Sequence, residues 1–398
     1  MDCHGKNNVL IIVENLPLPF DRRVWQEANT LKRAGFGVFI ICPKGKDQYN
    51  KEYEEINGIK IYRHRLPFEA NNAVGYLIEY LTALYWEKKL AKKIFKEYGF
   101  NYIQACNPPD LIYLIAKPYK KKYGVKFIFD HHDINPELYL AKFNRKDIFY
   151  WLLMMFEKNT FKLADHCIAT NKSYKEIALN RGKKDEDEVT VVRSGPSLER
   201  LYYMPPNDEL KKGREYLICY VGVIGQQEGI EYLLDAARIL KEKGRRDVFF
   251  LIMGQGPQWR NMVELSIKMG IDEMVDFPGR VSDDFLRTAL STADICINPD
   301  KYNEMNDKST MNKIMEYMAM GKPIIQFDLT EGRYSAKNAS LYALKNNPDD
   351  MARKIIELLN DPDKRKRMGD FGKKRVIDKL EWTHEESKYL SVYERMKE

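Results

Sequence analysis

The stretch VLIIVENLPLPFDRRVWQEANTLKRAGFGVFIICP, residues 9–43, decides the fold class. It opens with VLIIVEN (Val9–Asn15), a short apolar run of the kind that forms a strand buried on both faces. RVWQEANTLKRAG follows as a helical segment, with Asp21 placed to cap its start and Gly35 its end. GVFIICP (Gly37–Pro43) is a second buried strand. Strand, helix and strand joined by short connections make the unit of a parallel sheet. The pattern continues through YIQACNP (Tyr102–Pro108), KFIFDHHD (Lys126–Asp133) and HCIATN (His166–Asn171). The segment SGPSLERLYYMPPNDELKKGREY breaks it, so a linker is expected near residues 194–214. The alternation then restarts with YLICYVG, the helix GIEYLLDAARILKEKG, and the strands VFFLIMGQGP, VDFPG, ADICINP and KPIIQFD. Everything after Asp361 reads as charged helix. The chain is therefore two doubly wound α/β domains in series. Ligands of such sheets bind at the carboxyl ends of the strands, so a ligand cleft between the domains is expected.

A chain of 398 residues is long for one core, which agrees with two domains. No apolar run is long enough for a transmembrane helix, and MDCHGKNN at the start lacks a signal-peptide core. Cys3, Cys42, Cys106, Cys167, Cys219 and Cys296 include no C-x-x-C pair; several lie in strand-like runs, and all are read as reduced thiols of a cytoplasmic protein. The net charge of +7 is uneven. Residues 1–200 hold 33 Lys+Arg against 25 Asp+Glu, so the first half is the one to meet an anionic partner. Without interleaved stacking aromatics, that partner is not a nucleic acid. The run IFYWLLMMFEKNTFK (Ile148–Lys162) is read as a buried helix, because it is apolar nearly all round. Docking on an anionic membrane is its second reading.

Five segments carry candidate chemistry. Asp21, Arg22 and Arg23 stand at a strand-to-helix turn. The two arginines oppose the helix dipole there, which fits either an anionic ligand or a surface ion pair. In DHHDINPE, His132 and Asp133 end a strand and are expected to be exposed to ligand. A metal is the competing reading, disfavoured because no third ligand lies at suitable spacing. MGQGPQ (Gly254, Gly256, Pro257) and GVIGQQEG (including Gly225) are glycine turns that allow close backbone approach to a ligand. The second lacks a P-loop lysine, which disfavours an ATPase. In NDKSTMNKIMEYMAMGKP (Asn306–Pro323), Met311, Ile314, Met315 and Met318 form a core stripe. Ser309 and Thr310 are N-cap candidates, and Lys308 and Lys313 flank the helix start. Such a start binds phosphate, and Glu316 lies near enough to accept from sugar hydroxyls. A capped core helix with an exposed glutamate is the plain alternative.

These segments together resemble the retaining glycosyltransferases of family 4, which have the GT-B fold. The resemblance rests on DRRVWQEANTLKRAGFGVFIICP, HHDINPE, ADHCIATNKSYKEIALNRG, YVGVIGQQEGIEYLL, MGQGP and NKIMEYMAMGKPII. It implies an acceptor-binding domain over 1–200, a nucleotide-sugar domain over 201–378, and a final helix, 379–398, packing back on the first. It implies that Glu316 binds ribose, that Gly254, Gly256 and Pro257 line the nucleotide, and that His132 serves the reacting face of the donor sugar. Two features depart from the family pattern. Lys308 stands where relatives carry a second glutamate, with Asp307 the nearest substitute. Val223 and Glu228 stand where basic residues meet the diphosphate, a task then assigned to Ser309, Thr310 and Lys313 with Arg280 and Arg193. The expected catalytic set is His132, Asp307 and Lys313; the acceptor set is Asp21, Arg22, Arg23 and Asp133. The expected co-substrate is a UDP-sugar, with no metal or other cofactor, and the acceptor a glycan or lipid-linked precursor at the inner face of the membrane. An epimerase or phosphorylase on the same fold, or an inactive nucleotide-binding scaffold, are the alternatives.

Overall fold

A computed structural model of the chain describes residues 7–45, 48–65 and 73–397; Cys3 lies outside them. The chain forms two units. One comprises the residues up to Ser194 together with those from Thr383, and the other is Gly195–Trp382. Expected boundaries at 200/201 and 378/379 thus shift by a few residues. Packing sets the shift: a Cβ on Gly195 would lie 2.5 Å from the Leu380 carbonyl and the Trp382 nitrogen. The two crossing segments pair tightly just inside the second unit.

The first unit holds β1 (Asn8–Val13), β2 (Gly37–Pro43), β3 (Tyr53–Ile56), β4 (Ile59–His64), β5 (Tyr102–Cys106), β6 (Lys126–His131), β7 (His166–Ala169) and β8 (Val189–Val191). They lie in the order β3-β4-β2-β1-β5-β6-β7-β8, parallel except for the β3–β4 hairpin. The second unit holds β9 (Tyr216–Val221), β10 (Val248–Met253), β11 (Val275–Gly279), β12 (Ile295–Asn298), β13 (Ile324–Phe327) and β14 (Ser340–Ala343). They form an all-parallel sheet in the order β11-β10-β9-β12-β13-β14. Both are Rossmann-like. In each the strand order reverses beside the unit's first strand, at β1/β5 and at β9/β12, and such switch points open a crevice at the carboxyl ends.

The final helix, Thr383–Arg395, belongs to the first unit. Tyr389 and Tyr393 are fully buried, and both hydroxyls donate to Oε1 of Gln104 on β5. The helix Ile148–Leu163 differs from its reading as buried. Tyr150, Glu157, Thr160 and Phe161 face inward, whereas Ile148, Trp151 and Met155 are exposed. Its first nine residues, Ile148–Phe156, are apolar on every side, so their periodicity could not reveal which side stays uncovered.

A buried titratable group sits behind β1. Glu14 follows the strand, His64 ends β4, and Glu87 projects from the helix Ala73–Tyr98, with His64 Nε2 3.9 Å from Glu87 Oε1. Burial pushes the Glu87 carboxyl up to about 8 and the His64 imidazole down to about 4. Glu14 is also pushed up, by burial and then by the charges of Glu87 and Glu79. The folded chain therefore keeps a proton on Glu87 that the unfolded chain releases above about 4.5. That proton's contribution is complete at acid pH and declines by about 1.4 kcal/mol per pH unit as pH rises toward 8. Glu87→Gln should remove this decline. Urea midpoints of the two proteins at pH 5 and pH 8 check it: the variant gains on the wild type at pH 8, and parallel behaviour would disprove the assignment.

Candidate active site

In the first unit the site grows from the end of β6. Asp130 and His131 are fully buried, His132 and Asp133 only partly exposed, so the segment is not the open array its polarity suggests. Asn107, just past β5, clamps the turn: its Oδ1 accepts from the backbone N–H of His132 (2.6 Å) and Asp133 (3.1 Å). Its Nδ2 donates to the Asp133 carbonyl (2.6 Å) and to Asp110 (3.0 Å). Burial and then the Glu157 charge push Asp110 up to about 7. Burial also raises Asp133.

Asp21 caps the helix Arg22–Arg33 as expected, accepting from Val24 N–H at 3.1 Å. The two arginines part company. Arg22 is exposed. Arg23 is buried, so it is neither a surface ion pair nor an open anion site. Its Nη2 lies 3.1 Å from Asp130 Oδ1, its Nε 3.0 Å from Glu27 Oε1, and its Nη1 donates to the Val192 carbonyl at 2.9 Å. Gln104 donates to Glu27 (2.8 Å) and to Asp130 (3.0 Å). Burial alone would raise the Asp130 carboxyl; the charges of Arg23 and His132 outweigh it and hold the group well below the usual range. Glu27 goes the other way, pushed up by burial and by Asp130's charge.

His132 Nε2 lies 2.7 Å from Asp130 Oδ2 and 2.8 Å from Arg23 Nε. A guanidinium only donates, so a bare Nε2 serves Arg23 and a protonated Nε2 serves Asp130. The ring therefore has a partner in either state, which suits it to hold or release a proton. Sequence spacing showed no third metal ligand, yet the fold supplies donors from other elements: Glu27, Cys106, Asp130 and His132 place ligand atoms within 4.8 Å of one another. Arg23 already brings a fixed positive charge there, within bonding distance of three of the four, Glu27, Asp130 and His132. The set fits an ion-pair network and not a cation site.

In the second unit the site lies at the β9/β12 switch point. The turns after β9 and β10 are laced together, Gly222 N–H donating to the Met253 carbonyl (3.1 Å) and Gln258 N–H to the Ile224 carbonyl (2.9 Å). A Cβ on Gly254, whose φ is +146°, would fall 1.7 Å from the Gly222 carbonyl oxygen; one on Gly256 would fall 2.5 Å from that of Ile224. These glycines let two backbone segments meet, and Pro257, exposed, leads out of the turn. Gly225 makes room for Glu228, whose Oε2 would be 2.6 Å from a Cβ there. Glu228 is raised by burial, an effect offset by the charge of Lys313.

The helix expected to start at Ser309-Thr310 instead runs Asn312–Ala319, with Met311 in the cap position and no side-chain cap. Ser309 closes the preceding short helix, its hydroxyl donating to the Met305 carbonyl (2.7 Å). The cause is Asn303, which starts that earlier helix by accepting from Asn306 N–H and so takes up the polar segment. Lys313 Nζ lies 2.8 Å from Asp300 Oδ1 and 3.4 Å from the Tyr220 hydroxyl. Glu316 is buried, not exposed, and held by Arg200 at 2.5 Å. Both oxygens of Asp307 are engaged by Thr330, through its N–H and its hydroxyl, each at 2.9 Å. Asp307 thereby fixes the next helix start and is not directed at a ligand. Lys308 pairs with Glu304 at 2.6 Å. Arg280 is exposed, whereas Arg193 is buried in the first unit, its N–H donating to Glu385. Sequence reading missed Tyr220, Asp300, Arg200, Asn107 and Gln104; only the Asn-Pro-Pro-Asp run hinted at one of them.

Residues 21–200 match the family described as Glycosyltransferase Family 4, and residues 206–375 match Glycosyl transferases group 1. The chain is a group 1 glycosyltransferase. The glycosyltransferase is 28% identical over 156 residues to alpha-D-kanosaminyltransferase of Streptomyces kanamyceticus, spanning 39% of that relative's length. It is 22% identical over 90% of its length, and 91% of the relative's, to N,N'-diacetylbacillosaminyl-diphospho-undecaprenol alpha-1,3-N-acetylgalactosaminyltransferase of Campylobacter jejuni. Among solved structures, sucrose-phosphate synthase from Thermosynechococcus elongatus superposes with a TM-score of 0.81 at 18% identity, covering 98% of this chain and 99% of that one. Anabaena HepE, solved in complex with UDP-glucose, superposes at 0.73 and 12% identity, covering 98% and 99%. These neighbours give the glycosyltransferase the GT-B fold.

Proposed function

We propose that this glycosyltransferase moves a hexose from a UDP-sugar to a glycan or lipid-linked acceptor, with retention at the anomeric carbon and without a metal. One observation carries the reading. Lys313 and the uncapped start of the helix Asn312–Ala319 stand together at the β9/β12 switch point, with the Arg200-held Glu316 one turn further along the same helix. Free N–H groups, the helix dipole and an ammonium form an anion site, and a carboxylate one turn on suits ribose hydroxyls. The resemblance to proteins solved with UDP and UDP-glucose supports the nucleotide assignment.

The glycosidic bond to the diphosphate breaks as the acceptor oxygen joins the same face of the sugar, and the acceptor's hydroxyl proton passes to the departing phosphate oxygen. Charge growing on the leaving phosphate is met by Lys313 and the helix start, the role a cation would otherwise fill. His132, with a partner for its proton in either state, supports the reacting sugar. With Asp307 spent on Thr330, the catalytic assignment narrows to His132 and Lys313. No described helix is long and apolar enough to cross a membrane, so action at a cytoplasmic membrane face would be peripheral.

A panel of nucleotide sugars tests this by thermal shift, followed by UDP release with acceptor extracts. A donor at 100 times its dissociation constant stabilises the second unit by about 2.7 kcal/mol. UDP-sugars should raise the midpoint in EDTA as well as without it, and His132→Ala should lower acceptor-dependent release by about a hundredfold. Stabilisation without acceptor-dependent release would point to a binding scaffold, and conversion of the donor without acceptor to an epimerase.

A further inference from the structure

Two helices of the first unit each leave an apolar stripe uncovered. On the helix Ile148–Leu163, Ile148, Trp151 and Met155 are 70%, 60% and 45% exposed. On the helix Ala73–Tyr98, Ile78, Leu81 and Tyr85 are 47%, 53% and 62% exposed. Both sets have the spacing i, i+3, i+7, which is one continuous face of a helix. Isolated exposed apolar residues are ordinary; two regular stripes of large ones are not.

A shallow, open groove of about 80 Å³ lies between these elements. Tyr80 of the longer helix lines it, with Leu138 and Phe143 of the helix Asn135–Phe143 and Phe149, Leu152 and Phe156 of the third. Its lining is overwhelmingly apolar. The rim is cationic. Lys142, Arg145, Lys146 and Lys158 are all exposed. Of the acids in the same stretch, Glu157 is buried and bound by Arg181, and Asp147 caps the helix and pairs with Arg145 at 2.7 Å, so Lys142, Lys146 and Lys158 carry the basic character. Trp and Tyr beside Lys and Arg, around an apolar groove, match the layering of a lipid interface: hydrocarbon below, amphipathic rings at the boundary, anionic headgroups above.

We propose that this face docks the enzyme on an anionic phospholipid bilayer, inserting Trp151, Met155, Leu81 and Tyr85, with the groove taking lipid hydrocarbon. The surface deepens the lipid-linked-acceptor reading and rests on it. Asn135, which also lines the groove, lies three residues after His132. Docking there would bring a lipid-linked acceptor's headgroup to the His132 end of β6. An acidic protein partner would share the salt sensitivity but not the quenching of tryptophan by brominated acyl chains.

The test uses the full chain with vesicles of phosphatidylcholine alone or with one-third phosphatidylglycerol, in a flotation assay that needs no donor sugar. The wild type should bind the anionic vesicles at low salt and be released by about 0.5 M NaCl. Trp151→Glu with Tyr85→Glu should bind at least tenfold more weakly. Both positions are exposed, so thermal midpoint and nucleotide-sugar binding should stay unchanged. Brominated acyl chains should quench tryptophan fluorescence in the wild type, and the quenching should fall in Trp151→Phe. No flotation of the wild type, equal binding of the double variant, or quenching unaffected by Trp151→Phe would each overturn the proposal. Failure here with intact UDP release from a soluble acceptor would leave the transfer reaction standing; failure of both would remove the lipid-acceptor reading as well.

Discussion

Arg23→Met should lower the melting temperature of the first unit by roughly 10 °C, the largest stability effect expected anywhere in the chain. The substitution keeps the helix and nearly fills the side-chain volume. It removes the one fixed cation facing Asp130 and Glu27, both fully buried. Breaking a buried ion pair from one side costs about 3–5 kcal/mol, because the remaining charge is left in a medium that cannot solvate it. For a unit of about 200 residues each kcal/mol moves the midpoint by about 2–4 °C. Calorimetry, which separates the two units, is the measurement. Adding Asp130→Asn should restore much of the loss, since the orphaned carboxylate is then gone; strictly additive single effects would show that the two residues are not coupled. The same variant should alter the pH profile of transfer, because His132 Nε2 loses one of its two partners.

Lys313→Met should reduce kcat/KM by about 10²–10³ while leaving the fold in place. This ammonium is the cation placed at the uncapped helix start, and the argument for phosphate binding depends on it. Its removal also strands Asp300, buried and paired only through Oδ1, so the single variant mixes two effects. The double variant Lys313→Met, Asp300→Asn separates them. Its thermal midpoint should return toward wild type, yet transfer should stay impaired. Lys313→Arg should recover part of the rate. Near-normal turnover in the double variant would remove Lys313 from the mechanism.

The double winding, the glycine turns and the order of motifs could be read from residues 9–43 and the segments that repeat their rhythm, because apolar run length and turn chemistry are local properties. Asp21 as a cap was legible for the same reason. The polar stretch before Met311 was not. Ser309 and Thr310 satisfy the local requirements of an N-cap, but Asn303 competes for the same chain and wins, which moves the helix start to Asn312. Arg23 was misread because sequence shows a cation in the first turn and not the carboxylates that β6 and its own helix bring around it. Trp151 was misread for the converse reason: a helix start that is apolar on every side does not say which side the fold will cover.

Strand-length apolar runs, turn chemistry and motif order along the chain were enough to read two parallel α/β units and the glycosyltransferase family. Which polar residues are taken up by the scaffold became visible once the chain was folded. Asp307 and Lys308 went to Thr330 and Glu304, and Arg23 to a buried network. Lys313 is held by Asp300 at the start of the helix Asn312–Ala319, Glu316 by Arg200 within it, and His132 by Asp130 and Arg23 just past β6. That division depends on long-range pairing and burial, which no spacing along the chain encodes.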